Sequence, residues 1–393
     1  MKKLLVLATI AALILTSMLF VTSCNGGDEV ASDVLLQTIA AGDDFTLIIS
    51  DGYVYVSGNN NNGQLGLGNN ERMFNLERVS DINNIISVAA GYSHALALTA
   101  DGAVYSWGRN SRGQLGIGSQ EAQNAPQRVY GLDSGVAAVA AGGNISFALL
   151  DDGTVRSWGM NDDGHLGNGE GETGLNSYTP VKVLNLTNIV QVAAGHDHGV
   201  ALDYDGNVFV WGYNEVGQMG NDDDEDVLIP IKVEGLPGGA VSIAANRLNT
   251  IVALDNGEVW ATGGGIDPDE GLYFNWDATQ IETFEFVHLS SFSNIVKVSS
   301  NGMSILALDD EGRVWGVGAN EQGNLGLGDN DSRAAAYMVE DFDDVVEITG
   351  GSHHTLIRLE NGSVYGMGVT NFGQLAQGPE NRQRAISPIL IKE

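Results

Sequence analysis

Apolar positions along this chain fall in short runs of alternating or continuous hydrophobicity, broken by a regular punctuation. Residues 88–118 show it most clearly, VAAGYSHALALTADGAVYSWGRNSRGQLGIG. The runs ALALT and VYSWG flank Asp101-Gly102. Such a dipeptide tolerates the positive φ of a tight hairpin, so the two runs predict antiparallel strands. Equivalent pairs stand at Asp51-Gly52, Asp152-Gly153, Asp205-Gly206, Asn256-Gly257, Glu311-Gly312 and Asn361-Gly362. A preceding strand ends in paired small residues, as in Ala40-Ala41, Ala89-Ala90, Ala193-Ala194 and Ser299-Ser300. A fourth strand follows the Gly-Gln-Leu-Gly loop at Pro126 to Val129, Pro180 to Val183 and Pro230 to Val233. Proline donates nothing to a β-ladder, so that strand belongs on an edge.

One marker position locates the unit. It is glycine at Gly42, Gly91, Gly142, Gly195 and Gly351, and asparagine at Asn246 and Asn301, with spacings of 49 to 55 residues. A fixed period of this size means one supersecondary unit repeated. Four strands per unit, small residues innermost and proline outermost, describe a propeller blade. The expected fold is all-β, a seven-bladed β-propeller of four-stranded antiparallel blades over residues 34–393. The ring is expected to close through its N- and C-terminal strands, with residues 386–391 pairing with N-terminal strands in one composite blade. Tyr55, Tyr105, Phe209, Trp260, Trp315 and Tyr365 occupy one repeat position, and Trp107, Trp158 and Trp211 lie two further on. Both positions share a strand face and are expected to pack between blades.

The string A-A-G-x-x-H-x-L-A-L-x-x-D-G-x-V-Y-x-W-G-x-N-x-x-G-Q-L-G resembles the repeat of the regulator of chromosome condensation family. Residues 88–118 match it almost fully, and copies at 192–220 and 346–378 match well. Copies five and six are eroded, with Asn249 and Ser304 replacing the histidine. The resemblance implies a seven-bladed propeller and does not choose a function. Members of that family include a nucleotide exchange factor on chromatin, light receptors, effectors acting on host GTPases and secreted β-lactamase inhibitors.

The N-terminal residues change the picture of where such a propeller works. Lys2 and Lys3 precede an apolar stretch from Leu4 to Val21, and residues 1–23 read as a lipoprotein-type signal peptide. Val21-Thr22-Ser23-Cys24 looks like a lipobox, which makes Cys24 the expected lipidation site. Cys24 is the only cysteine, so no intramolecular disulfide exists. Residues 24–33 read as a lipidated flexible linker. The expected address is the cell envelope, lipid-anchored, with the anchor as the only membrane contact. The formal net charge is −32. A surface this acidic repels phosphates, so a nucleic-acid partner is disfavoured.

No catalytic constellation emerges. His94, His198 and His354 share one repeat position and lie on different blades. They are expected to make structural hydrogen bonds. No metal spacing and no cofactor motif is present, and the run Asp222 to Asp226 and the pair Asp329 and Asp331 read as solvated loops. Phe284, Phe286 and Phe292 read as blade core. The turns after the marker position and the Asn-x-x-Gly-Gln-Leu loops are expected to share one face, opposite the Asp-Gly turns. Residues there vary between copies: Asp43, Tyr92, Met160, His196 and His353 are examples. The expected partner-binding residues are Tyr92, Arg109, Tyr213, Arg247, Tyr273 and Trp276. The expected function is therefore a non-catalytic, monomeric, protein-binding propeller. The other class is a secreted regulator, either an enzyme inhibitor of the β-lactamase type or an exchange effector on a host GTPase.

Overall fold

The computed structural model describes residues 36–171, 175–267, 271–272, 282–339, 342, 344–381 and 383–393. The signal segment, Cys24 and the linker lie outside them, as do Tyr273 and Trp276. Among the described residues the chain forms seven four-stranded antiparallel sheets, each ordered by sequence from the ring axis outwards, and no α-helix. Blade one is Ile39–Ala41, Phe45–Ser50, Tyr53–Gly58 and Met73–Arg78. A two-stranded ribbon, Ile266–Asp267 with Gly271–Leu272, interrupts blade five between its third strand Val259–Gly264 and its outer strand Glu282–His288. No described helix is long and apolar enough to cross a membrane.

The Asp-Gly turns sit at the hairpins between second and third strands, where Gly102 has φ of 80°. The residue before the third strand's closing turn is always glycine because that backbone is left-handed and crowded. Gly108 has φ of 104°, and a Cβ there would lie 2.5 Å from the Ser93 carbonyl. The prolyl segments are outer strands, as at Gln123–Arg128, Ser177–Lys182, Val227–Lys232 and Ala385–Lys392.

Packing between blades makes the core. Phe45, Leu47, Val54 and Val56 of blade one meet Val88, Ala95, Ala97 and Trp107 of blade two, all buried. Trp107, Trp158 and Trp211 are fully buried. Each donates its indole N–H backwards across a joint, to the carbonyls of Gln64, Gln114 and His165 at 2.8, 2.9 and 2.9 Å. The other aromatic position is half-buried, and Arg128 covers the Tyr105 ring at 5.0 Å. Phe292 is core, Phe286 is half-buried against the core between blades four and five, and Phe284 is half-buried.

Ring closure differs from the expected composite blade. The outermost strand of blade seven, Ala385–Lys392, pairs with Val364–Gly368 of the same blade, Leu390 facing Tyr365 and Ile389 facing Gly366. The N-terminal strand Ile39–Ala41 pairs only with Phe45–Ser50. The ring ends meet instead through side chains. Ile39, Ala41 and Ile48 pack against Leu356, Val364, Leu375 and Ala385. Glu347 of blade seven accepts from Thr38 N–H at 2.8 Å, Thr38 Oγ1 at 2.5 Å and Ile39 N–H at 3.3 Å. Arg358 donates to Thr38 Oγ1 at 3.0 Å and to the Ile49 carbonyl at 3.1 Å. Carboxylate and guanidinium thus do here what chain continuity does at the other joints.

Candidate functional site: the channel mouth

The marker residue ends the innermost strand and opens the turn into the second. Its N–H closes that turn, Gly91 to the His94 carbonyl and Gly195 to the His198 carbonyl at 2.9 Å each. The need for glycine is local. A Cβ at Gly91 would overlap the His94 ring, and one at Gly42 the Phe45 ring. Where the marker becomes Asn246 or Asn301, the residue three further on is a smaller Asn249 or Ser304, not a ring.

The marker's successor then links to the next blade. Tyr92 N–H donates to the Gly143 carbonyl and His196 N–H to the Asn246 carbonyl at 3.1 Å each, and Ser352 N–H to the Gly42 carbonyl at 3.3 Å. This belt of bonds fixes the backbone at Tyr92, Gly143, His196 and Ser352, which with Asp43, Arg247 and Gly302 line a cavity of about 410 Å³ at the axis. The Asn-x-x-Gly-Gln-Leu loops are tied to the same face. Arg109 N–H donates to the Ser93 carbonyl at 2.9 Å and Tyr213 N–H to the Asp197 carbonyl at 3.0 Å. The loop asparagine braces both ends: Asn110 donates to the Ser119 and Glu121 carbonyls and accepts from Leu115 N–H, and in blade seven Thr370 bonds the Asn381 and Gln383 carbonyls in its place.

Behind the belt lies a repeated relay. Ser146 Oγ donates to the Gln114 carbonyl at 2.8 Å, so it can only accept from His94 Nε2, 2.9 Å away. Thr250 joins the Gln218 carbonyl and His198 in the same way, and Thr46 joins the Gln374 carbonyl and His354. These histidines are neutral inter-blade ties. Burial pushes His94 down to about 3 and His198 to about 4. At the joint between blades six and seven Asn301 reaches the corresponding hydroxyl, Thr355 Oγ1, at 3.1 Å.

The mouth itself is rich in carboxylate and imidazole. Tyr92, 42% exposed, stands edge-on to His196 at 6.2 Å and is hydrogen-bonded to Asp43. The Asp43 charge raises the Tyr92 phenol, with burial adding to it, while burial raises Asp43. Asp43 Oδ1 and Asp44 Oδ1 lie 3.6 and 3.4 Å from His353 Nδ1. The Asp44 carboxylate, with Asp43 behind it, holds the His353 imidazole above its ordinary value against the opposing effect of burial. Opposite, His196 Nδ1 is 2.5 Å from Asp197 Oδ2. Burial alone would raise Asp197, but the neighbouring His165 and His196 imidazoles outweigh it and hold the carboxyl below the usual range.

Of the six residues expected to bind a partner, Tyr92 and Arg247 line the mouth. Arg109 is exposed beside it, close enough to lower the Tyr92 phenol, with its Nε on Ser111 Oγ at 3.1 Å. Tyr213 sits half-buried on the blade-four loop, its hydroxyl donating to Glu215 at 2.6 Å. The acidic loops brace their own turns: Asp223 accepts from Glu225 N–H, Asp226 from Asn214 N–H and Asp329 from Asp331 N–H. Sequence reasoning missed Asp44, Asp197 and His165. His165 stands where four other copies have Gln64, Gln114, Gln218 and Gln374, and mimics them: Nδ1 accepts from Asp163 N–H as Gln114 Oε1 accepts from Arg112 N–H. That departure from the repeat was the available signal.

Comparison with known proteins agrees with this geometry. The RCC1-like domain model matches residues 136–393, and Regulator of chromosome condensation (RCC1) repeat models match 51–98 and 101–149, and 37–64 and 85–114. The Ultraviolet-B receptor UVR8 of Arabidopsis thaliana is 30% identical over 313 residues, 78% of this chain and 70% of the receptor. The E3 ubiquitin-protein ligase HERC2 of Homo sapiens is 30% identical over 267 residues, 63% of this chain but 5% of the ligase. Human WBSCR16 superimposes with a TM-score of 0.71 at 25% identity, covering 83% of this chain and 86% of its own. Yeast RCC1 (Prp20), in its structure with Kap60, shares the fold with a TM-score of 0.75 at 22% identity, covering 96% and 91%.

Proposed function

We infer the function from the premise that this chain belongs to the Regulator of chromosome condensation (RCC1) repeat family: it is a non-catalytic propeller that holds a protein partner on its loop face. The observation that carries this reading is the belt of inter-blade bonds at the channel mouth, which fixes the backbone while Asp43, Tyr92, His196 and Arg247 differ from blade to blade. A rigid frame presenting unlike side chains supplies specificity at low entropic cost. Yeast RCC1, on the same fold, is bound to Kap60 in its structure, so this architecture can serve a protein partner.

The setting rests on the sequence. The signal pattern and Cys24 support lipid-anchored display in the cell envelope, and the net charge of −32 supports a partner other than nucleic acid. Tyr92 and His196 are each engaged by a neighbouring carboxylate, which favours recognition over acid–base chemistry. Affinity capture from envelope extracts tests the reading. The wild-type chain is expected to retain a protein that Tyr92→Ala/Arg247→Ala loses and that a Asp101→Ala variant on the opposite face keeps. Equal capture by all three would contradict it. Accelerated nucleotide release from a GTPase, or inhibition of a β-lactamase, would instead identify the partner's class.

A further inference from the structure

Beyond partner binding, the seam of the ring carries a cluster whose spacing fits an ion. Asp43 and Asp44 come from the first turn of blade one and His353 from the equivalent turn of blade seven. One ligand atom from each lies within 4.8 Å of the others. His353 Nδ1 is 3.6 Å from Asp43 Oδ1 and 3.4 Å from Asp44 Oδ1. Charge-assisted hydrogen bonds are shorter, about 2.7–2.9 Å. The neighbouring His196–Asp197 pair, at 2.5 Å, shows what direct contact looks like in this same mouth. A tetrahedral ion with ligands at about 2.1 Å sets its donors about 3.4 Å apart. The imidazole is thus spaced from both carboxylates as donors round a common centre are.

We propose that Asp43, Asp44 and His353 form a divalent transition-metal site that clips blade one to blade seven. Imidazole with two carboxylates suits Zn²⁺, Co²⁺ or Mn²⁺ and not Ca²⁺, which takes oxygen ligands alone. The second sphere is in place. Asp43 is hydrogen-bonded by Ser352 and Tyr92, and Gln374 Nε2 reaches Asp44 Oδ1 at 3.4 Å. Such outer partners orient ligating carboxylates. Asp44 is 8% exposed, while Asp43 and His353 are partly buried and border the axial cavity, so an ion can enter from that side and a fourth position stays open to water. The site also falls at the one joint that no covalent connection crosses, where a clip adds most. It does not depend on the partner-binding reading.

The test uses the full mature chain, stripped with chelator and titrated with Zn²⁺ or Co²⁺ alone. One equivalent is expected to bind with a dissociation constant on the order of micromolar, to raise the melting temperature, and, for Co²⁺, to give a visible absorption band. His353→Gln and Asp43→Asn preserve side-chain size; each is expected to weaken binding by about tenfold or more and to abolish the melting shift. His288→Gln, on the outer strand of blade five, is expected to bind like the wild type and controls for adventitious imidazole binding. Absence of saturable binding, or binding and a melting shift that survive both His353→Gln and Asp43→Asn, would overturn the site.

Discussion

Buried histidine decides how this propeller answers to acid. His94 and His198 each give Nε2–H to a hydroxyl on the next blade and are enclosed completely. Their folded values, about 3 and about 4, lie far below the ordinary 6.5. The unfolded chain therefore binds protons that the folded one refuses between those limits. Stability from these groups is fully present above 6.5 and is lost as pH falls towards 4, by about 3 kcal/mol per histidine as an order of magnitude. His353 has the opposite sign, since its raised value favours folding below 6.5 and that gain disappears as pH rises through the folded value. Urea midpoints between pH 7 and pH 4 should fall more steeply for the wild type than for His94→Gln/His198→Gln. Parallel pH profiles would show that the relay does not titrate. The shared position of these histidines was legible from the repeat. Their partners were not, because each hydroxyl lies about one repeat away along the chain and the bond exists only once neighbouring blades dock.

At the scale of elements, the joints between blades differ in kind. Other inner-strand joints use neutral groups: Ser87 Oγ accepts from Gln37 N–H, and Gln191 exchanges two bonds with Ile243. The closing joint uses Glu347, 5% exposed, holding three donors of residues 38 and 39. Removing a buried acceptor leaves its donors unpaired. Glu347→Ala should therefore cost about 3 kcal/mol, against about 1 for Ser87→Ala, in equilibrium unfolding. Equal costs would mean that the seam is no different from any other joint. Deleting Ser387 to Glu393 should bare the third strand of blade seven, lower the melting temperature and leave the inner-strand joint intact. Strand order within a blade was legible from the Asp-Gly turns and the prolyl outer strands. The manner of closure was misread because a terminal strand can satisfy either edge. The spacing of Pro388 behind the Gly373-Gln374-Leu375 loop, close to that of Pro126 behind Gly113-Gln114-Leu115, already favoured an ordinary outer strand.

Across the whole molecule the two faces of the ring differ in sequence variety. One carries hairpins whose sequences barely change, such as Asp51-Gly52, Asp101-Gly102 and Asp205-Gly206. The other gathers Tyr92, His196 and Arg247 around the axial cavity, with Arg109 and Tyr213 on adjoining loops. On a chain of net charge −32, Arg109 and Arg247 are exposed cations within an anionic field, suited to fixing the orientation of a partner. Repeat phase put all five of these residues on one face. Which of them meet each other was beyond phase alone, since Tyr92 of blade two leans towards Asp43 of blade one and His196 of blade four. Truncating Tyr92 and Arg247 together should weaken a captured partner by about 2 kcal/mol or more without lowering the melting temperature appreciably. An unchanged affinity would remove these two residues from the interface.

Hydrogen exchange of the full-length protein, alone and with the captured partner, addresses the working face most directly. The amides after the marker position and in the Asn-x-x-Gly-Gln-Leu loops, including those of Tyr92, Arg109, Tyr213 and Arg247, are expected to gain protection. The Asp51-Gly52, Asp101-Gly102 and Asp205-Gly206 turns should exchange as before. Protection confined to those turns would contradict a partner held at the channel mouth.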